Sequence, residues 1–409
     1  LNGLYTIDLS GNGDFMDFNE AFQAAKDLGV CGDVVFESQG GQWNEFLSLE
    51  TVPLQSDTST ITFRSASGDP TTDTLWVSGG TNGTQVLDFD DADWFRFEYL
   101  TLWNNSNDPR VITVRGGSDN NIIHGCDIIG TQQNSTSFND AIIFSDNDLD
   151  NNNHIVDNYI YGGSYGILWE GISTASLEEG TVIEGNDIID SYYSAIRMYY
   201  ENAPQVRNNY IAGDVAYTAG RGIWAYYCDN DMIIDGNHID ADSTDWPQYG
   251  LFLGYNDGSA LNQGVISNNK IHLGAGVSSD DHWGIYTLQG GFSNIWNNSI
   301  VINTTNINGR GYYANNSSTN TFVNNIIEIS NNGLAYDILG SGAIHIGDYN
   351  NIRSNNAVFA ELDNTPYTTY NDWVVGTGYD QNTTQVDPLF NNVFEMRPCN
   401  DTLDGAGLS

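Results

Sequence analysis

Trp224, Phe252, Tyr286 and Tyr313 occupy one position of a short apolar motif, in copies reading G-I-W-A (222–225), G-L-F-L (250–253), G-I-Y-T (284–287) and G-Y-Y-A (311–314). Other copies read A-I-I-F (141–144), G-I-L-W (166–169), A-I-R-M (195–198) and A-I-H-I (343–346). Side chains alternate along a strand, so Ile142, Ile167, Ile196, Ile223, Leu251, Ile285, Tyr312 and Ile344 are expected to face inward. The next residue then faces out: Ile143, Leu168, Arg197, Trp224, Phe252, Tyr286, Tyr313 and His345. Stacked strands lie about 4.8 Å apart, which makes Trp224 to Tyr313 a continuous aromatic stripe. Flat rings with polar edges suit the apolar faces of sugars, and exposed aromatic surface marks a binding site. Arg197 heads the stripe, and Tyr199 and Tyr226 lie two residues further along their strands. Together these seven residues are the candidate carbohydrate-binding set.

Carboxylates offer a second chemistry. Glu170 and Glu201 are expected outward on adjacent coils, two positions out of step, roughly 8 Å apart and within the range of an inverting hydrolase pair. With Arg197 they are the candidate catalytic residues if the chain is an enzyme. A pair of this kind also arises by chance among 53 acidic residues. A third group, Asp146, Asp148 and Asp150, has the alternating oxygen ligands of a calcium loop, with Asp157 at the twelfth position. Asn151 replaces the glycine expected at position six, so a solvated acidic corner is the plain alternative.

What positions these residues is an Asn-centred repeat of about 28 residues. Its central slot is filled by Cys126, Asn158, Asn186, Asn209, Asn237, Asn269, Asn298, Asn325 and Asn355, with Glu98 as an earlier member. An apolar residue stands three before the slot and another two after it, as Ile155 and Ile160 do around Asn158. Short segments rich in Ile, Val and Tyr with Asn and Gly at the corners describe coils of a solenoid, and stacked Asn side chains can bond along the stack. The expectation is a right-handed parallel β-helix of about ten or eleven coils. A capping sequence at Asp17–Glu20, with Ala21, Phe22, Ala25 and Leu28 on one face and Gly29 as a stop, predicts a helix that covers the N-terminal end. One domain is expected over 1–409, with a cap region at 1–33, coils at 34–390 and a closing segment at 391–409.

Composition narrows the partners. With 53 acidic against 12 basic residues the net charge is −41, which excludes nucleic-acid binding and weighs against polyanionic glycans. No apolar run reaches membrane-spanning length. The opening L-N-G-L-Y-T-I-D, the helix, G-V-C-G-D-V-V-F-E and Q-W-N-E resemble the N-terminal β-helix module of large bacterial proteins exported by type IX secretion. The D-P-L-F segment at 387–390 and F-E-M-R-P-C-N-D-T-L-D-G-A-G at 394–407 resemble the closing coil of right-handed β-helix repeat proteins. That resemblance implies a secreted or cell-surface protein, accompanied by further domains of a larger secreted protein. It extends to polysaccharide lyases, glycoside hydrolases and surface adhesins of unknown ligand alike, and so does not select an activity. The favoured expectation is a glycan-binding β-helix acting on a polysaccharide or surface glycan. A polysaccharide-degrading enzyme and a structural segment of a surface fibre are the alternatives.

Calcium is the one cofactor the sequence suggests. A divalent ion held by the 146–150 corner of so acidic a chain would relieve self-repulsion and, bound only by the folded state, raise its stability. Calcium is therefore expected to raise the melting temperature more than sodium chloride at matched ionic strength does. The calcium-specific increment should vanish in Asp146→Asn/Asp148→Asn, and its survival would place the ion elsewhere.

Overall fold

A computed structural model of the chain describes residues 1–78, 85–145, 147–213, 220–241, 248–278, 280–340, 342–392, 395–403 and 406–407. The chain is an all-β parallel solenoid of about twelve turns rather than ten or eleven. Each turn supplies one strand to each of three parallel sheets. By contact density it forms two compact units, Leu1–Tyr192 and Tyr193–Ser409.

In the first unit, the solenoid begins before the helix. Gly3–Ile7 pairs in parallel with Val34–Ser38, which pairs with Ile61–Ser65, so the region expected to be only a cap already contributes a strand. The helix spans Phe18–Leu28, with the Asp17 side chain accepting from Glu20 N and Gly29 ending it at φ 68°. Its buried face is Phe18, Ala21, Phe22 and Ala25, while Leu28 is 69% exposed and lies off that face. Phe18 packs on Trp43 and Phe63, and Phe22 packs on Phe95. Beneath them Phe36, Phe63 and Phe97 stack on successive turns at 5.0 and 5.3 Å, a column of large rings that the helix shields.

The Asn slots form buried ladders in both units. Asn158 Nδ2 and backbone N both donate to Asn186 Oδ1 at 3.0 Å, and Asn158 Nδ2 also donates to Ile123 O. In the second unit the same double bond links Asn209 to Asn237, Asn237 to Asn269, Asn269 to Asn298 and Asn298 to Asn325. The residue before each slot lies in the left-handed region, for example Gly125, Asp157, Gly185, Asn208, Gly236 and Asn268. Gly, Asn and Asp tolerate that conformation best, which explains why the motif reads G-N, D-N or N-N.

Two slots differ from expectation. In the early coil Phe97 pairs with Ile123 and Leu102 with Ile128, which makes Leu100 the slot residue and puts Glu98 on the strand before it. At the far end Asn325 N donates to Asn350 Oδ1, so Asn350 is the last rung and Asn355 is exposed. Ile352 pairs with Ile327, two after its slot, whereas the sequence reading set it three before one.

The second unit closes earlier than expected and with a helix. Its last strands are Ala360–Leu362 and an antiparallel Thr365–Tyr367, followed by the helix Tyr370–Thr377 with a Thr369–Asp372 capping box. Trp373 is fully buried against Tyr336 at 5.2 Å, and its Nε1 donates to the buried Asp380 carboxylate. Asn350 Nδ2 and Thr383 Oγ1 donate to the same carboxylate, tying the end of the ladder to the closing segment.

The ladder sets a stability test. Asn269→Ala would remove the acceptor shared by the Asn237 backbone N and Nδ2 and the donor to the Ile234 carbonyl, while Asn298 Oδ1 keeps the backbone N of residue 269 and Asn237 Nδ2 keeps Val206 O. Stranding buried polar groups costs about 1–3 kcal/mol each, so the loss is expected to reach about 3 kcal/mol or more. Urea unfolding measures it, and a loss below about 1 kcal/mol would deny the ladder its structural role.

Candidate functional site

The outward stripe is real and lies wholly in the second unit. Backbone pairing sets Arg197 beside Trp224, Trp224 beside Phe252, Phe252 beside Tyr286 and Tyr286 beside Tyr313. The carrying strands are Ser194–Asn202, Gly220–Asp229, Gln248–Gly254, His282–Leu288 and Arg310–Asn315. Their opening glycines are required by close packing. A Cβ on Gly250 would sit 2.4 Å from Ile271 Cγ2 and 2.6 Å from Gly284 O, and one on Gly284 would meet Ile300 and Gly311 O in the same way. Each aromatic strand is thereby pressed onto the coil interior at a fixed height.

Trp224, Tyr286 and Tyr313 are half-buried, Phe252 is 8% exposed, and Arg197 is buried at 4% although it stands in the outward column. The rings are in unbroken contact. Trp224 meets Phe252 at 5.8 Å, Phe252 meets Tyr286 at 4.8 Å, and Tyr286 meets Tyr313 at 4.6 Å. Arg197 lies 4.3 Å from the Tyr199 ring and 4.9 Å from Trp224, so its charge is held against π faces.

Residues beside the stripe widen the face. Arg221, Tyr249, Trp283 and Arg310 form a second column in register, outside the four-residue motif that guided the search. Tyr249 and Trp283 stack at 4.4 Å and 8°, and the Arg221 guanidinium lies 4.1 Å from Trp224 and 5.1 Å from Tyr249. On the other side Tyr199 and Tyr226 stack at 5.1 Å, followed by Tyr200, Tyr227 and Tyr255 at 5.3 and 4.9 Å. The last three have φ of 60°, 53° and 53°, a conformation unfavourable for a bulky residue. Gln289 and Asn316 take the same conformation on the following coils, so the left-handed residue is a repeated corner of the solenoid.

That same turn relocates Glu201. After the left-handed Tyr200 the alternation reverses, and Glu201 pairs with Cys228 as a fully buried interior residue instead of an outward one. Asn256 follows on the next coil, with Cys228 N donating to its Oδ1 at 2.8 Å. Glu170 ends the strand Tyr165–Glu170 of the first unit and is half-buried, so the two carboxylates belong to different units.

Both ends of the expected stripe also change. Ile143 pairs with Ile167 and faces in, which places Phe144, not Ile143, beside Leu168, and Leu168 is itself fully buried. Beyond Tyr313 the partner is Asp337 on Leu334–Leu339, whose carboxylate accepts from Arg310 Nε at 2.6 Å. A-I-H-I belongs to another sheet, where Ile344–Asp348 pairs with Asn320–Val323, so His345 does not continue the column.

At the acidic corner, Asp146 lies outside the described residues. The Asp148 carboxylate accepts from Gly116 N, and Asp150 accepts from Gly117 N, Ser118 N and Ser145 Oγ. Burial pushes the Asp150 carboxyl up to about 7. These bonds give both carboxylates a structural role in joining adjacent coils. Among the described residues no cluster of three or more metal-ligating side chains occurs.

No family model and no curated protein matches the chain. Among solved structures it is similar to PfbA, a surface adhesin of Streptococcus pneumoniae, at 15% identity over 77% of this chain and 87% of that one, TM-score 0.43. It is also similar to pectin methylesterase from carrot, at 12% identity over 80% and 82%, TM-score 0.35.

The face makes a pH prediction. Burial raises the phenols of Tyr199, Tyr226, Tyr249, Tyr286 and Tyr313 above the ordinary tyrosine value. A raised folded value means the stabilisation is fully present below the unfolded phenol value near 10 and is lost as pH rises through the folded values. Absorbance titration is expected to show a group of late-ionising tyrosines, with unfolding accompanying their ionisation. A single ordinary phenol transition would contradict the packing described.

Proposed function

We propose that this chain is a carbohydrate-binding β-solenoid displayed outside the cell, holding a glycan along the aromatic face of its second unit. The observation that carries the reading is the unbroken register of Trp224, Phe252, Tyr286 and Tyr313 with the parallel column of Tyr249 and Trp283. Such a face offers stacking area to sugar rings on successive coils, while Asn315, which bonds the Tyr286 phenol, and Gln289 supply polar edges. A net charge of −41 favours a neutral or weakly charged polymer. Extracellular placement is part of the same proposal, supported by the acidity and by the resemblance of the chain's ends to secreted β-helix modules. Arg197, buried between rings, is assigned a positioning role.

The test is retention on a panel of plant and marine polysaccharides, followed together with released reducing or unsaturated ends. Tyr313→Ala and Trp224→Ala are expected to weaken retention at least about tenfold with little loss of melting temperature for Tyr313→Ala. Release of chain ends, abolished by Glu170→Gln, would replace binding by catalysis. Retention unchanged in both aromatic variants would overturn the reading.

A further inference from the structure

The first unit carries an outward column of its own. Trp76, Trp103, Ile129, Tyr161 and Ile189 follow one another in register on successive coils, and all five are half-buried. The last three stand third after the slots Cys126, Asn158 and Asn186, where alternation turns the side chain out. The indoles of Trp76 and Trp103 lie 6.0 Å apart at 32°, two flat faces at coil spacing. Along one side runs a parallel column of Thr74, Thr101, Asp127, Tyr159 and Asp187, in which Tyr159 is 38% exposed. Along the other side Ser78 and Asn105 are paired and exposed.

The solenoid does not require this column. In the second unit the third residues after Asn237, Asn269 and Asn325 are Asp240, His272 and Glu328; Asp240 and His272 bond each other, and Glu328 pairs with Arg353. The aromatic choice in the first unit therefore calls for another cause. The shape of the strip limits what can occupy it. It is one side chain wide between polar columns, whereas a stable protein partner needs a patch of about 800 Å². A second copy of the chain would bring another net charge of −41 against Asp127 and Asp187. A narrow apolar track bordered by hydroxyls and carboxylates matches a linear polymer with apolar faces and hydroxyl edges.

We infer that Trp76, Trp103, Ile129, Tyr161 and Ile189 form a second glycan track, which takes an extended neutral polysaccharide along the stacking direction. It uses no residue of the second-unit face, so the two stand or fall separately.

The experiment is affinity electrophoresis of the full chain in soluble xylan, mixed-linkage glucan, galactomannan and dextran. The variants are Trp76→Ala/Trp103→Ala and Ile129→Lys, each in the wild-type and the Trp224→Ala background. Both are expected to cut the retention that remains in Trp224→Ala at least about tenfold, with the melting temperature preserved for Ile129→Lys. If the double variant fails to fold, Ile129→Lys alone decides. Retention on all four polymers unchanged by either variant overturns the inference. If Trp224→Ala alone abolishes every interaction, the second-unit reading stands and this one fails; loss only in the first-unit variants gives the reverse. A change in sedimentation without a change in retention would make the strip an interface between copies and also overturn it.

Discussion

Everything in this molecule depends on stacking one coil on the next without leaving a polar group stranded inside. A parallel solenoid must turn its backbone sharply at each corner, and the turn points amides and carbonyls toward the interior. The Asn slots solve this at one corner. Each amide oxygen accepts from the backbone and side chain of the Asn on the preceding coil, and each amide nitrogen donates to a backbone carbonyl of that coil and to the Asn oxygen of the next. A residue that can only accept, or only donate, would break the chain of bonds. Because each rung bonds both neighbours, the ladder also fixes the height and register of every coil it joins.

Register is what the outer face inherits. Once Asn237, Asn269, Asn298 and Asn325 are locked rung to rung, the residues a fixed distance along each coil fall into straight columns. The glycines at 250, 284 and 311 remove the remaining freedom by letting the strand sit against the Ile side chains of the next sheet. Trp224, Phe252, Tyr286 and Tyr313 are thus held in line by the strands themselves. Rigid presentation lowers the ordering cost of binding, as it does for any site built on strands rather than on loops.

The parts legible in the sequence were those governed by that register, and the errors came where it is interrupted. Apolar residues on both sides of each Asn revealed the slots, and the four-residue motif revealed the stripe. Glu201 was misread because strict alternation was assumed through Tyr200, whose left-handed backbone reverses it. Ile143 was misread because Ala141 resembles the opening Gly of the motif while pairing with Tyr165, one residue earlier. A-I-H-I mimics the stripe strand but belongs to another sheet, since composition alone does not say which sheet a short apolar run joins. The helix at Tyr370–Thr377 had a readable signal in its Thr369–Asp372 capping box and Gly378, obscured by the assumption that coils continued to residue 390. The Tyr249–Trp283 column lies on the same strands as the stripe but ahead of its four-residue motif, and the Trp76–Trp103 column lies on a different strand of each coil, where no outward aromatics were sought.

Interior and exterior positions answer to different demands. Inside, a large ring is explained by volume: Phe36, Phe63 and Phe97 fill the first unit, and Tyr312 and Tyr336 fill the second. Outside, the same fold accepts Asp240, His272 or Glu328 at positions where other coils carry Ile129, Tyr161 or Ile189. The backbone there is satisfied by strand pairing whichever side chain projects from it, so aromatic and β-branched residues favour the strand at these sites without being required by it. Rings concentrated on a few columns of so acidic a chain are what the proposed glycan binding would account for. A ligand recognised through ring faces would need no complementary charge, so the proposed binding is compatible with so acidic a chain.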